Sequence, residues 1–165
     1  MPKSLIDSII VVGDLGEIKI YRVKEELAIS LKDDAQVSHK HHKGKLIERL
    51  TLNLIKAADF IDAHKKISEE VTDKVGHFEG RFGGESGEPH NLKLEIERRV
   101  IKEEAKFINQ TLLENDFKKW HLAFPKEHYK ELIDHLDYRL KDKLDKVVPE
   151  DLTKMKEDKV LSYFS

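Results

Sequence analysis

A glycine-rich segment with a single central carboxylate is the first candidate for chemistry in this sequence. Residues 76–91, GHFEGRFGGESGEPHN, hold five glycines and one proline and include Arg81 followed by Gly83-Gly84-Glu85-Ser86. Paired glycines let a backbone approach another molecule closely, because no Cβ intervenes. A carboxylate accepts hydrogen bonds and can act as a general base when its pKa is raised. The segment is interpreted as a loop that is either a plain connection between helices or a functional tip.

Cations recur at every fourth position just after this segment. Arg98, Lys102 and Lys106 would share one face of a helix, where they could contact phosphates. Arg99 has one glutamate four residues before it and another four residues after it, which is a spacing typical of a solvated, salt-bridged face. Both interpretations stay open, and the salt-bridged face is favoured.

No other set of residues supports a cofactor or a metal. The absence of cysteine excludes disulfides, thiolate nucleophiles and cysteine-ligated metals. Residues 39–43, HKHHK, carry imidazoles, but the interleaved lysines repel a cation and no carboxylate lies beside them. No P-loop, dinucleotide fingerprint or serine-hydrolase elbow is present. We therefore expect no metal and no cofactor.

Length and charge limit the remaining classes of function. A chain of 165 residues is long enough for one core, so residues 1–165 are predicted to form a single domain. The formal net charge of -2 gives no general attraction to nucleic acid, so no DNA partner is expected and any RNA contact must be local. The N-terminal apolar run of four residues is too short for a signal peptide or a membrane span, which predicts a cytoplasmic protein.

The N-terminal third is predicted to begin as a β-meander. Residues 9–12 are β-branched and end at Gly13-Asp14, and residues 18–23 alternate at period two. A third strand is expected around Leu27, Ile29 and Leu31. From Lys45 onward a long helix is predicted, because one helical stripe collects Leu46, Leu50, Leu54, Ala57, Ala58 and Ile61, with Ile67, Val71 and Val75 as its extension.

The second half alternates between helices and strands. Another helix is predicted with Ile101, Ala105, Ile108 and Leu112 in the core, followed by a buried strand over residues 120–124 that contains Trp120. A helix starting at Pro125 and reaching Leu144, an edge strand at Val147-Val148 and a helix over residues 152–164 complete the chain, the last with Met155, Leu161 and Phe164 pointing inward. This order predicts an α/β fold in which the meander and a βαβ second half share one mixed sheet, with helices packed on it.

These motifs resemble the middle domain of the archaeal and eukaryotic peptide-release factors. Residues 80–86 are similar to that family's Gly-Gly-Gln-Ser loop, and Glu97-Arg98-Arg99 is similar to the Glu-Lys-Arg stretch of its following helix. The sequence looks closest to bacterial relatives described as proteins required for attachment to host cells, on the basis of Leu122-Ala123-Phe124-Pro125 and Glu150-Asp151-Leu152-Thr153. The resemblance covers residues 5–31 and about 74–164, and it leaves residues 40–73 as a helical insertion.

The resemblance implies contact with ribosomal RNA or transfer RNA. Gly83, Gly84 and Glu85 would occupy the catalytic positions, and binding would involve Arg81, Ser86, Arg98, Lys102 and Lys106. In the family, the glutamine helps to position the water that attacks the peptidyl-tRNA ester. Because Glu85 replaces it, and a carboxylate only accepts hydrogen bonds and is repelled by RNA phosphates, we expect hydrolysis to be weak or absent. The alternative is a protein-interaction module, such as a homodimer, with an indirect role in host-cell attachment.

Overall fold

The computed structural model describes residues 2–30, 45–82 and 88–165, with side chains for residues 4–27, 47–73 and 90–165. One turn of 3-10 helix, Pro2–Leu5, precedes ten elements. In chain order these are β1 (Ile9–Gly13), β2 (Glu17–Ser30), β3 (Lys45–Asp59), α1 (Ile61–Phe82), α2 (Glu88–Leu113), β4 (Trp120–Ala123), α3 (Tyr129–Asp134), α4 (Tyr138–Lys143), β5 (Leu144–Val148) and α5 (Glu157–Phe164).

The described strands form one five-stranded mixed sheet in the order β3-β2-β1-β4-β5. β1 is antiparallel to β2, and β2 is antiparallel to β3, which is the N-terminal meander. β4 is parallel to β1 and to β5, so the second half joins the meander through parallel crossovers. The predicted α/β class and mixed sheet are therefore confirmed.

The central strand β1 is buried on both faces. Ile9 and Val11 contribute to one core, whereas Ile10 and Val12 contribute to the other. This placement explains the unbroken β-branched run, since a strand covered on both sides has no polar face to alternate with.

Helices cover both faces of the sheet. On the first face, the predicted stripe of α2 is confirmed, because Ile101, Ala105, Ile108 and Leu112 are all buried there, with α3 and α4 beside them. Trp120 lies in this core as predicted and donates from Nε1 to the carbonyl of Leu140 at 2.7 Å. On the second face, the core includes Leu5 and three residues of α5, namely Val160, Leu161 and Phe164.

The predicted helix from Lys45 is wrong over residues 45–59, which form β3. Every residue of β3 except Ile55 pairs with β2, and Leu50 and Leu52 pack in the core on the α5 face. Residues four apart share a face in a strand as they do in a helix, so the leucine spacing did not distinguish the two structures. A bulge opposite Ile20 and Tyr21 also breaks the period-two alternation near Ile55.

The helix does exist after this strand, as α1. Ile67 is half-buried and Val71 is buried, as the stripe predicted. The third strand expected at residues 27–31 is instead the continuation of β2, which reaches Ser30. Because β3 is hydrogen-bonded along its length to β2, residues 45–59 are part of the sheet and not a helical insertion.

The loop predicted for residues 76–91 is largely helical. α1 continues to Phe82 and α2 begins at Glu88, so both helices extend into the glycine-rich segment. A glycine inside a helix costs only about 1 kcal/mol relative to alanine, and a long helix tolerates that cost. Composition therefore overstated the length of the connection.

Two C-terminal helices are also shorter than predicted. The helix expected from Pro125 to Leu144 is divided into α3 and α4, and Asp137 caps α4 by accepting a hydrogen bond from the backbone N–H of Arg139 at 2.9 Å. The final helix starts at Glu157 and not at residue 152. Leu161 and Phe164 point inward as predicted, whereas Met155 is exposed.

Part of the meander extends beyond the rest of the sheet. β1 pairs with β2 only as far as Arg22. Beyond that point residues 24–30 of β2 pair with residues 45–51 of β3 as a two-stranded ribbon, called the arm below. Leu27 and Ile47 on the arm are exposed.

Candidate functional site

The α1–α2 hairpin extends past the part of α2 that packs on the sheet. Between His90 and Arg99 no residue of α2 is buried, and the fully buried positions begin at Val100. From Glu88 to Val100 the helix rises about 18 Å at 1.5 Å per residue. The two helix ends that flank residues 83–87 are thus separated from the core by several helical turns.

All three predicted catalytic residues, Gly83, Gly84 and Glu85, lie outside the described part of the chain, and so does the predicted binding residue Ser86. All four fall in the gap between α1 and α2. Arg81 belongs to the last turn of α1, and its side chain is also outside the description. Their roles stay predictions.

The cationic stripe formed by Arg98, Lys102 and Lys106 lies on α2 as predicted, and all three side chains are exposed. Arg98 Nε lies 3.7 Å from a carboxylate oxygen of Glu131 in α3. The ion pairs that α2 makes within the described residues involve neither Lys102 nor Lys106. Two of the three cations can therefore contact an anion without first breaking an ion pair of that kind.

The salt-bridged interpretation is correct for the adjacent face of α2. Arg99 Nε lies 2.9 Å from Glu95, and the same guanidinium approaches Glu70 of α1 at 3.8 Å. Arg99 thus connects the two helices of the hairpin, while Arg98 points toward α3. The two neighbouring arginines serve different faces, so both sequence interpretations describe part of α2.

A cluster of acidic side chains at the carboxyl end of β1 was not found from the sequence. Asp14 Oδ1 accepts hydrogen bonds from the backbone N–H groups of Gly16 at 2.7 Å and Glu17 at 3.0 Å. Its Oδ2 accepts from the hydroxyl of Thr153 at 3.2 Å. Asp14 directly follows the buried run of β1, and ligands of open α/β sheets bind at the carboxyl ends of their strands. That position was the available signal.

Asp151 completes this cluster. Its Oδ1 accepts from the backbone N–H of Thr153 at 2.9 Å and from its hydroxyl at 2.6 Å. Burial acts to raise the pKa of Asp151, but the hydrogen bonds that it accepts from Thr153, together with the charge of Lys154, hold it below its usual range. Each carboxylate is therefore engaged within the protein, and the cluster fastens the residues after β5 to the β1–β2 turn.

Glu104 is a buried acid on the sheet-facing side of α2. The residue is 0% exposed, and no hydrogen-bond partner for either carboxylate oxygen lies in the described part of the chain. Burial raises the pKa of Glu104 to about 9, and the charge of Asp14 adds to the rise. The side chain is thus a neutral acid at pH 7. Among the residues with described positions, no group of three His, Asp or Glu side chains could hold a metal ion.

His121 is a second buried titratable group, on β4. Its Nδ1 accepts from the backbone N–H of Lys146 at 3.2 Å, and its ring lies 5.6 Å from that of Phe164. Burial lowers its pKa to about 4, against an opposing effect of Asp145. His121 is therefore neutral at pH 7 and packs as a core residue between β4, β5 and α5.

Comparison with known proteins identifies the family to which the sequence is related. A family model described as "Protein required for attachment to host cells" matches residues 9–164. The chain belongs to this family. The match runs through residues 40–73 as well, which agrees with the place of β3 in the sheet. The family's description names a biological process and no chemical reaction. No curated protein matches the sequence.

The resemblance to the host attachment group is thus confirmed, whereas the release-factor relationship stays a prediction. In the described portion of the chain, no helix is both long enough and apolar enough to cross a membrane.

Proposed function

We propose that this protein is a release-factor-like domain that contacts ribosomal RNA or transfer RNA through the α1–α2 hairpin and has little or no hydrolytic activity. The observation that carries the proposal is the exposed cationic stripe of α2, in which Arg98 lies just before the core-packed part of the helix and Lys102 and Lys106 lie on the solvent side of that part. The Gly83-Gly84 pair between the two helices supports it, because glycines permit close backbone approach to a bound strand.

The charge distribution favours a local contact over a general affinity for nucleic acid. The whole chain carries a formal net charge of -2, so it has no general attraction for phosphates. Cations at three positions four residues apart are spaced by about 6 Å along the helix, since each residue rises 1.5 Å. Neutralising three phosphates gives a slope of log K against log salt of roughly -2 to -3.

Weak or absent hydrolysis follows from the chemistry of Glu85. In the release factors that the sequence resembles, a glutamine can both donate and accept hydrogen bonds at this position, whereas an ionised carboxylate only accepts them. Negative charge among RNA phosphates is also unfavourable. We therefore expect Glu85→Gln to leave RNA binding intact or to strengthen it, and release of peptide from peptidyl-tRNA by the wild type to stay near background.

Ribosome co-sedimentation and tRNA filter binding at several salt concentrations test the proposal and separate the two RNA sources. We expect binding that falls with salt and that Arg98→Glu combined with Lys102→Glu weakens at least tenfold. The matched control reverses two exposed cations elsewhere, Lys141 in α4 and Lys159 in α5. Equal binding by the stripe variant and the wild type would remove the RNA-contact proposal.

A protein-interaction role is the second candidate, and the exposed edge of the sheet favours it. β3 is an outermost strand of 15 residues, and unpaired backbone groups on such an edge can pair with another chain. Large apolar side chains are exposed on and beside it, with Leu27 at 66% and Leu54 at 57%. We propose that two copies of the protein form a homodimer through this edge.

Light scattering coupled to size-exclusion chromatography tests the dimer directly. A dimer at tens of micromolar that Leu27→Lys combined with Leu54→Lys converts to a monomer would support it. A wild-type monomer at that concentration would reject it and would leave the RNA proposal unaffected.

A further inference from the structure

A pocket lies at the amino ends of the parallel strands, at the opposite end of β1 from Asp14. Its volume is about 570 Å³, within the range of small-molecule sites. Its walls come from the segment before β1, from Arg22 of β2, from residues 116–119 before β4 and from Lys143 before β5. We call it the amino-end pocket.

The amino-end pocket is locally cationic, although the chain as a whole is slightly acidic. Four basic side chains line it, Arg22, Lys118, Lys119 and Lys143, against the two carboxylates of Asp7 and Asp116. Asp7 is already bound by Lys24, whose Nζ lies 2.8 Å from its Oδ1. The hydrogen bond and the charge of Lys24 lower the pKa of Asp7. Lys119 lies 3.8 Å from Asp145 and Lys143 donates to the carbonyl of Phe117 at 3.2 Å. Lys118 and the remaining N–H groups of Arg22, which already donates once to the carbonyl of Asp7, are therefore the cationic donors most open to a ligand.

The backbone around the pocket is fixed before any ligand enters. The N–H of Asp7 donates to Val23 at 2.8 Å, the N–H of Val23 donates to Ser8 at 2.9 Å, and Arg22 donates to the carbonyl of Asp7 at 3.0 Å. Asp7 itself has φ of 66°, in the left-handed region that non-glycine residues seldom adopt. Such backbone geometry is concentrated at ligand sites, where surrounding hydrogen bonds hold it in place.

We propose that the amino-end pocket binds a nucleoside monophosphate. Arg22 presents a planar fork of N–H donors suited to phosphate oxygens, and the neighbouring lysines add point charges. Asp116 supplies an acceptor for a sugar hydroxyl. Ile6 gives apolar surface on which a base can pack, beside the ring of Phe117, over which Nζ of Lys143 lies 4.8 Å from the centroid. A pocket that combines a cationic wall, a free carboxylate and apolar contacts matches a phosphate, a sugar and a base better than it matches inorganic phosphate alone.

Titration calorimetry of the full chain with AMP and GMP tests the proposal, with inorganic phosphate and adenosine as partial ligands at the same ionic strength. We expect the nucleotides to bind at least tenfold more tightly than either partial ligand. Lys118→Glu, at an exposed loop position, should weaken nucleotide binding at least tenfold. Lys143→Gln should weaken it by a smaller factor.

The matched control is Arg98→Glu combined with Lys102→Glu, which should bind the nucleotides as the wild type does. No heat of binding with millimolar AMP or GMP would overturn the proposal, as would wild-type affinity in Lys118→Glu. Binding of short RNA without binding of mononucleotides would also overturn it. Because the pocket and the stripe are probed by separate variants, failure here is distinguishable from failure of the RNA-contact proposal.

Discussion

The hydroxyl oxygen of Thr153 lies 3.2 Å from Oδ2 of Asp14, although 139 residues separate them in the chain. The same oxygen lies 2.6 Å from Oδ1 of Asp151. One buried threonine thus bridges the turn after β1 and the segment after β5. The single hydroxyl proton of Thr153 is shared between two carboxylates, so removal of the hydroxyl affects both of them.

Thr153→Val is expected to lower the free energy of unfolding by about 2 kcal/mol, because valine keeps the shape but removes a hydrogen bond to charged groups. Urea unfolding followed by circular dichroism measures the change. Ser162→Ala provides the control, since Ser162 is exposed and its hydroxyl donates to the nearby carbonyl of Lys159 at 2.6 Å. Equal losses in the two variants would show that the bridge contributes nothing specific.

Glu104 is expected to make the protein less stable as the pH rises. Its pKa is about 9 in the folded state and near 4.5 when exposed, so between these values only the folded protein holds the proton. Stability contributed by the neutral acid is complete below pH 4.5 and is lost as the pH rises toward 9. The loss is about 3 kcal/mol at pH 7, at 1.36 kcal/mol per unit.

Unfolding of Glu104→Gln between pH 5 and pH 9 measures this effect, because glutamine has no proton to release. The stability of the wild type declines over this pH range, and we expect the stability of the variant to decline much less. Glu104→Leu, which replaces the acid by an apolar group, should also be more stable than the wild type at pH 8. An unchanged pH profile in both variants would contradict the burial of an ionisable acid here.

His121 is expected to make the protein less stable as the pH falls, which is the opposite of the effect of Glu104. Its pKa is about 4 in the folded state against 6.5 when exposed, so the unfolded chain binds the extra proton first. Stability is complete above pH 6.5 and falls by up to about 3 kcal/mol as the pH drops to 4. His121→Asn should flatten this limb, whereas His135→Asn, at an exposed histidine, should leave it as in the wild type. Matching acid limbs in the His121 variant and the wild type would count against this assignment.

Gly13 and Gly16 flank the same turn but differ in the space around them. A Cβ at Gly13 would collide with the δ-methyl group of Ile18 and lie 3.2 Å from both the Glu17 carbonyl and the Phe124 ring. Gly13→Ala should therefore cost about 1–3 kcal/mol through overpacking. At Gly16 the nearest atom is an oxygen of Asp14 at 3.4 Å, an ordinary contact. Thermal unfolding should give Gly16→Ala a clearly higher melting temperature than Gly13→Ala. A lower melting temperature for Gly16→Ala would refute the steric explanation.

The elements that could be predicted are buried ones whose hydrophobic spacing fits only one type of secondary structure. The β-branched run of β1, the stripe that includes Ile101 and Ile108, and the strand at Trp120 all lie in the core, so their hydrophobic spacing was decisive. β3 was missed because Leu46, Leu50 and Leu54 are four apart, as on one face of a helix, and a bulge near Ile55 interrupts the alternation to which Leu52 belongs. Local spacing could not show that residues 45–59 have a partner in β2.

Site prediction met a different limit. The stripe at Arg98 was visible because it depends on spacing within one helix. The bridge at Thr153 and the amino-end pocket were not, since each combines side chains from segments that are distant in sequence. Asp14 could have been suspected from its position just after a buried strand, but Asp151 and Glu104 become its neighbours only through the sheet order and the packing of α2.

The parallel pairing of β1 with β4 has a consequence for biogenesis. The first strand is made early, but one of its edges has no partner until Trp120 has been synthesised, and Ile10 and Val12 lack their cover until α5 follows. A nascent chain that has completed only the meander therefore has an unpaired edge on β1 and exposed apolar side chains. Both features promote misassembly. The pairing of β1 on both edges and its cover on both faces are therefore completed only late in synthesis.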